Sequence, residues 1–470
     1  VEQYDVVIVG AGPAGIFAAL ELFEKKAGLK VMMLDMGRTI QDRICVARST
    51  NKCVNCQPCA VTSGWAGAGA FSDGKLSLSP EVGGRMLDYF DTESVYGLIN
   101  YTDDLYIKFG ADDCIYGAES TKVEEIKYQA AKHNIHLIPC GLRHLGTEKA
   151  AKVLEAMYDH LLLHEGFIFS ELTQACDLLV ENRKVKGLVI KKAGGEEESI
   201  LCNYVVAAPG RSGAKWLSEL AKKHGIQTFS NEVDIGVRVE VHNSVMDHLT
   251  KDLYEAKLVY YSDTFENKVR TFCMNPGGIV SEEHYDGKVA AVNGHSYSDP
   301  ALKTDNTNFA VLVSTKFTEP FNQPIDYGMY IAKLGNMLTG GGIMVQRLGD
   351  LLAGRRTDHN RLKRSTTIPT LKSAVPGDLS FVLPHRYLAS IVESLKAFDR
   401  IAPGLYSKDV LLYGVEVKFY SSKIEVDNTF ETCLKGLYAI GDGAGITRGL
   451  MQASASGVVV ARGIAKKYFC

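Results

Sequence analysis

The stretch YDVVIVGAGPAGIFAALELFEKKAGLKVMMLD, residues 4–35, decides how the rest of the chain is read. Residues 4–9 are a short β-branched apolar run, the pattern of a strand buried in a parallel sheet. GAGPAG follows at once, so Gly10, Gly12 and Gly15 fit G-x-G-x-x-G. The next residues place apolar side chains at i, i+3 and i+4 and predict a helix. Residues 30–34 predict a second strand that ends at Asp35. Strand, glycine turn, helix, strand and acid in this order predict a dinucleotide-binding unit. Gly10 permits the tight turn, Gly12 lets backbone N–H groups reach a pyrophosphate, and Gly15 lets helix and strand pack closely. Pro13 and Ala14 open the helix, whose N-terminus supplies positive partial charge. Asp35 is placed to accept hydrogen bonds from ribose hydroxyls. The motif alone does not separate FAD from NAD.

A matching piece lies at the other end. LKGLYAIGDGAGITRGLMQASASGVVVARGIAKK, residues 434–467, reads as a strand, a sharp turn at Gly441, Asp442 and Gly443, and a small-residue helix from about Leu450. It resembles the second FAD signature of glutathione-reductase-type flavoproteins. The resemblance implies that Asp442 hydrogen-bonds the ribityl chain. It also implies that the helix entered through Gly449, Leu450 and Met451 points its N-terminus at the pyrimidine edge of the flavin. Reduced flavin carries negative charge at that edge, and a helix dipole stabilises it. FAD is therefore the expected cofactor.

Between the two ends, KVLEAMYDHLLLHEGFIF predicts an amphipathic helix leading into a strand, and LLVENRKVKGLVI a hairpin turning near Asn182. NYVVAAPGRSG predicts a strand closed by a turn at Gly210; the flavoprotein class has Ala-Thr-Gly where this chain has Ala-Ala-Pro-Gly. The fold class expected is α/β: a glutathione-reductase-type FAD-binding Rossmann domain with an inserted α+β cap. The FAD domain is expected to be discontinuous, from residues 1–95, 150–215 and 425–470, with 96–149 and 216–424 forming the cap and substrate domain. A chain of 470 residues is long enough for two cores. A net charge of −3 gives no electrostatic case for nucleic acid. No apolar run approaches the roughly 18–20 residues that span a bilayer. The opening residues read as a strand rather than a secretory signal, and eleven scattered cysteines fit a reducing cytoplasm better than a disulfide framework.

GWAGAGAFSDGKL (residues 64–76), FCMNPGG (272–278), GVRVE (236–240), NGHS (293–296) and GVEVKF (414–419) together resemble a family of uncharacterised FAD-dependent dehydrogenases, related to geranylgeranyl reductase-like flavoproteins. Larger members carry an additional N-terminal domain, which this chain is expected to lack. The resemblance implies FAD and redox chemistry but names no substrate. In this fold the segment after the second strand passes the flavin pyrophosphate, where glycines let backbone approach closely. Gly69 and Ser72 are thus expected near the cofactor. Lys75 is a candidate to favour anionic reduced flavin, and the plain reading has Asp73 and Lys75 solubilising a loop.

The segment ICVARSTNKCVNCQPCA (residues 44–60) holds Cys45, Cys53, Cys56 and Cys59. Four thiolates at these spacings suit an iron–sulfur centre of the four-iron, four-sulfur type, the leading expectation. A redox dithiol comes next. Structural zinc and four small buried hydrophobes complete the alternatives. In the cap, His295 is a candidate general acid; at the turn before the last helix, Arg448 is a candidate to stabilise reduced flavin or bind an anionic substrate. Arg238 and Glu416 read as a buried ion pair. The function expected is an FAD-dependent oxidoreductase moving hydride or electron pairs between flavin N5 and a small organic substrate. Electrons would come from transient NAD(P)H or a ferredoxin-like protein. The alternatives are a non-catalytic electron-transfer or sensor protein and a dithiol–disulfide flavin reductase.

Overall fold

The computed structural model describes every residue except Val1, Ala27, 47–53, Asn55, Glu119, 286–288, Ser298, Asn322 and Cys470. The chain divides into two units. One contains residues 1–114, 143–231 and 420–470; the other contains 115–142 and 232–419.

The first unit is built on a strand without a polar side chain over its last four residues, Gln3–Val9. Such a strand must be covered on both faces and paired on both edges. Its neighbours are Val31–Leu34 on one side and Glu197–Ala207 on the other, both parallel. Phe167–Ser170 extends the sheet beyond Val31–Leu34, and Leu437–Ala439 pairs in parallel with the end of Glu197–Ala207. The hairpin Thr173–Glu181 and Lys184–Lys192 continues the sheet antiparallel. Its turn is at Asn182 and Arg183, both at positive φ, as a two-residue primed turn requires. The first helix, Pro13–Lys25, packs along the terminal helix, Leu450–Phe469. A Cβ at Gly457 would lie 2.2 Å from the Ala14 carbonyl oxygen, so only glycine allows this approach. Helix Thr92–Lys108 belongs to this unit, not to the cap as its position in the sequence predicts. Tyr106 is buried against Phe17 and hydrogen-bonds Ser454 Oγ at 2.9 Å, which ties the helix to the same core.

The second unit is an eight-stranded sheet. The order is Val375–Pro376, Met344–Arg347, Leu411–Lys418, Val233–His242, Asn306–Thr315, Lys268–Asn275, Leu258–Tyr261 and Ile135–Leu137. All neighbours are antiparallel except the first pair. Helices Asn243–Leu253 and His385–Phe398 bury apolar stripes in its core. A separate ribbon pairs Ile279–Tyr285 with Val289–His295. Among the described residues no helix is long and apolar enough to cross a membrane.

Candidate functional site

The glycine turn separates its three glycines by task. Gly10 has φ +105°, and a Cβ there would lie 2.2 Å from the Ala208 carbonyl oxygen. A Cβ at Gly15 would lie 2.1 Å from the Gly10 carbonyl oxygen. Both are required by the protein's own packing. Gly12 differs: nothing lies within 4 Å of the position its Cβ would take. The open side of the turn is therefore at Gly12, at the mouth of the first helix, with Pro13 at its first position and Ala14 buried. A helix N-terminus beside a bare backbone suits the negative pyrophosphate of a dinucleotide.

Asp35 sits at the end of its strand as expected, but its partners in the structure are backbone groups. Oδ2 accepts from Ala11 N–H at 3.0 Å, and Oδ1 accepts from Gly37 N–H at 2.9 Å and Gly64 N–H at 2.6 Å. The carboxylate joins the glycine turn to the segment that begins GWAGAGAF. Arg43, 5% exposed, fixes the same segment from beneath. Its Nε donates to Ala60 O at 2.9 Å, its Nη2 to Val61 O at 2.7 Å and Gly67 O at 2.8 Å, and its Nη1 to Trp65 O. Gly67 thereby rests against Gly12, 3.2 Å from its Cα to a Cβ built on Gly67. Gly69 is in a short turn of 3-10 helix, Gly67–Phe71, against Leu450 and Pro13. Ser72 spends its hydroxyl locally, donating to Gly69 O at 3.0 Å and accepting from Gly74 N–H at 3.2 Å. Lys75 is mostly buried and pairs with Asp73 at 3.0 Å, so the two are not a solvated loop pair.

The far end of the chain closes on this turn. Gly441, at φ +74°, comes up against Ala14, and Gly443 against the backbone of Gly210, itself at φ +63°. The Ala-Ala-Pro-Gly departure thus still ends in a left-handed glycine. Asp442 Oδ1 accepts from Thr447 Oγ1 at 2.6 Å, and Arg211 Nε lies 3.8 Å from Oδ2. Gly449, Leu450 and Met451 open the terminal helix. A loop that sequence reasoning missed covers that opening. Gln452, fully buried, donates to Pro80 O at 2.9 Å and Val82 O at 3.0 Å and accepts from Met86 N–H at 3.3 Å. Arg448 N–H donates to Gly83 O at 2.9 Å, and Gly83 and Gly84 are both at positive φ. The doublet Gly83-Gly84 was the available signal; Arg43 gave none. Arg448 stacks its guanidinium on Tyr420, 3.6 Å from the ring centroid.

The cysteine segment is only partly described. Cys53 lies outside the described residues. Cys45 is half-buried, Cys56 and Cys59 are exposed, and all three are free thiols. Among the described residues no group of three or more His, Cys, Asp or Glu side chains is placed to hold a metal, so the expected iron–sulfur ligand set is not assembled there. His295 lies in the second unit, exposed, at the end of its ribbon strand. That unit does contain the expected ion pair. Arg238 and Glu416, both 0% exposed, meet through Nε at 2.8 Å and Nη2 at 2.7 Å. Burial works against the Arg238 charge, but Glu416 outweighs it and holds the guanidinium above its ordinary value. Asn308 Oδ1 accepts from Arg238 Nη1 at 2.8 Å and from Asn275 Nδ2 at 3.2 Å, which gives Asn275 a structural partner. Glu240, also buried, accepts from Tyr413 O–H at 2.5 Å and Asn306 Nδ2 at 3.1 Å.

Residues 232–419, the main segment of the second unit, match the family described as FAD-dependent protein, C-terminal domain-like. This bears out the resemblance to FAD-dependent proteins read from the sequence. An uncharacterized protein of Clostridium beijerinckii is 26% identical over 98% of this chain and 81% of its own. Among solved structures, a 3-ketosteroid-Δ4-(5α)-dehydrogenase from Rhodococcus jostii covers 99% of this chain and 97% of its own, with 13% identity and a TM-score of 0.45. L-proline dehydrogenase from P. horikoshii covers 99% and 94%, with 12% identity and a TM-score of 0.42. E. coli quinol fumarate reductase covers 99% and 70%, with 14% identity and a TM-score of 0.42. At these values the three say nothing of a shared substrate.

Proposed function

With a C-terminal domain of FAD-dependent proteins in the chain, we propose that the first unit binds FAD and that the protein is an FAD-dependent oxidoreductase acting on a small organic substrate, in a glutathione-reductase-type arrangement with the second unit as its cap. The observation that carries the reading is the convergence, within one unit, of the open backbone at Gly12, the Asp442 turn and the mouth of the terminal helix. The residues fit the group. The Gly12 backbone and the mouth of the first helix would hold the pyrophosphate, Asp35 the ribose with the acceptor capacity its backbone partners leave, and Asp442 the ribityl chain. The mouth of the terminal helix would face the pyrimidine edge. Bound there, FAD supplies two-electron hydride chemistry.

This chain's own residues supply orientation and charge. Asp35 and Arg43 hold the turn and the covering segment in one geometry, which spares the protein that ordering on binding. The terminal helix offers positive partial charge where negative charge develops on reduction. Arg448 is the candidate cation beside that helix and Lys75 the candidate on the covering segment, each tempered by its present partner, Tyr420 or Asp73. His295 is the candidate proton donor from the cap. NAD(P)H or a ferredoxin-like protein remains the proposed electron source. The test starts with gently purified protein: a flavin spectrum and one FAD released per chain are expected. Anaerobic photoreduction and a screen of organic acceptors follow. Reoxidation by a small molecule supports the enzyme; protein that stays colourless after incubation with FAD overturns the reading.

A further inference from the structure

Cys56 and Cys59 bracket the tetrapeptide C-Q-P-C, and both are exposed free thiols. The chain that follows them is firmly held. The Cys59 carbonyl accepts from Thr62 N–H at 3.2 Å and Ser63 N–H at 3.0 Å. Arg43 then ties down Ala60, Val61, Trp65 and Gly67 through its guanidinium. Ala60, one of its acceptors, directly follows Cys59 in the chain. Two accessible thiols three residues apart, beside a buried positive charge and on an anchored turn, have the chemistry of thiol–disulfide exchange.

We propose that Cys56 and Cys59 are a redox-active dithiol that reduces an exogenous disulfide. One cysteine, as thiolate, attacks a sulfur of R–S–S–R; that S–S bond breaks, one R–SH leaves with a proton, and a mixed disulfide forms. The second cysteine, as thiolate, attacks the protein sulfur of the mixed disulfide and releases the second R–SH. The pair loses two electrons and two protons, and the substrate gains both. The step needs no flavin, so its failure and the failure of the flavin reading are distinguishable. The test uses the full chain with its flavin, equilibrated without oxygen in glutathione and glutathione disulfide mixtures of stepped potential, quenched with an alkylating reagent and mapped by mass spectrometry. The expected result is a Cys56–Cys59 disulfide, seen as the loss of two hydrogens from the peptide joining them, that grows in as the buffer becomes more oxidising. Either Cys56→Ser or Cys59→Ser should trap a glutathione mixed disulfide that the double variant does not form, with circular dichroism confirming that each variant folds. Cys56 and Cys59 staying fully alkylated across the series in the unaltered chain, or bonding to Cys45 or Cys53 instead, would overturn the proposal.

Discussion

At the scale of single residues, the glycine turn makes the sharpest distinction. Gly12→Ala adds a methyl group to open space at an ordinary φ of −79°. The flavin-free protein should keep its stability within about 0.5 kcal/mol, while FAD affinity should fall at least about tenfold. Gly15→Ala drives a methyl group into the Gly10 carbonyl and should cost about 1–3 kcal/mol whether or not flavin is present. Melting curves with and without FAD, read beside the flavin-to-protein absorbance ratio, separate the two; full flavin content in Gly12→Ala would remove Gly12 from the site. Asp35→Ala leaves the N–H groups of Ala11, Gly37 and Gly64 without their acceptor. A loss of about 1–3 kcal/mol of stability is expected, with reduced flavin retention. Asp35 itself was legible because acid at the end of a second strand has a local signature. Its clasp on Gly64 was not, since nothing in a sequence pattern tells a carboxylate which distant amide returns to it.

At the scale of elements, apolar patterning carried the strands, the hairpin and the first helix, and small-residue composition the terminal helix, because each is written in adjacent residues. The cover over the terminal helix was invisible for the opposite reason: Gln452 reaches Pro80 across 372 positions. Gln452→Ala removes its bonds to Pro80, Val82 and Met86 together and should cost about 1–3 kcal/mol. Amide hydrogen exchange should rise in residues 80–86 while the central strand stays protected. Unchanged exchange there would show that the loop is held by something else. In the second unit the ion pair of Arg238 and Glu416 was legible because both residues sit in strand-like segments. Removing one partner of that pair by Glu416→Ala strands a buried cation and should cost about 3–5 kcal/mol, read from the denaturation midpoint of that unit.

At the scale of the whole molecule, both units hold tyrosines that burial keeps from ionising. Tyr101 is pushed up to about 12 by burial and then by Glu21, and Tyr387 to about 12 chiefly by burial. Tyr413 is raised well above its usual value by burial and then by Glu240. A raised folded-state value means the folded protein binds more protons than the unfolded chain above pH 10. The stabilisation is complete below pH 10 and fades as pH climbs through about 12. Ultraviolet tyrosinate absorbance should lag behind that of the urea-unfolded chain over this window, and both units should lose structure as it catches up. Coincident titration of folded and unfolded protein would refute the shift. The discontinuous layout was legible from the two flavin signatures at opposite ends. The exact crossings were not: helix Thr92–Lys108 declares its allegiance through contacts distant in sequence, Tyr106 on Phe17 and Ser454 and Tyr101 on Glu21. The interleaving has a consequence for synthesis. The second unit leaves the ribosome whole once residue 419 has emerged, yet the first still lacks Leu437–Ala439 and the helix that packs along Pro13–Lys25. During that interval an apolar helix face stands uncovered, so this nascent chain should be a client of chaperones until residues 420–470 are translated.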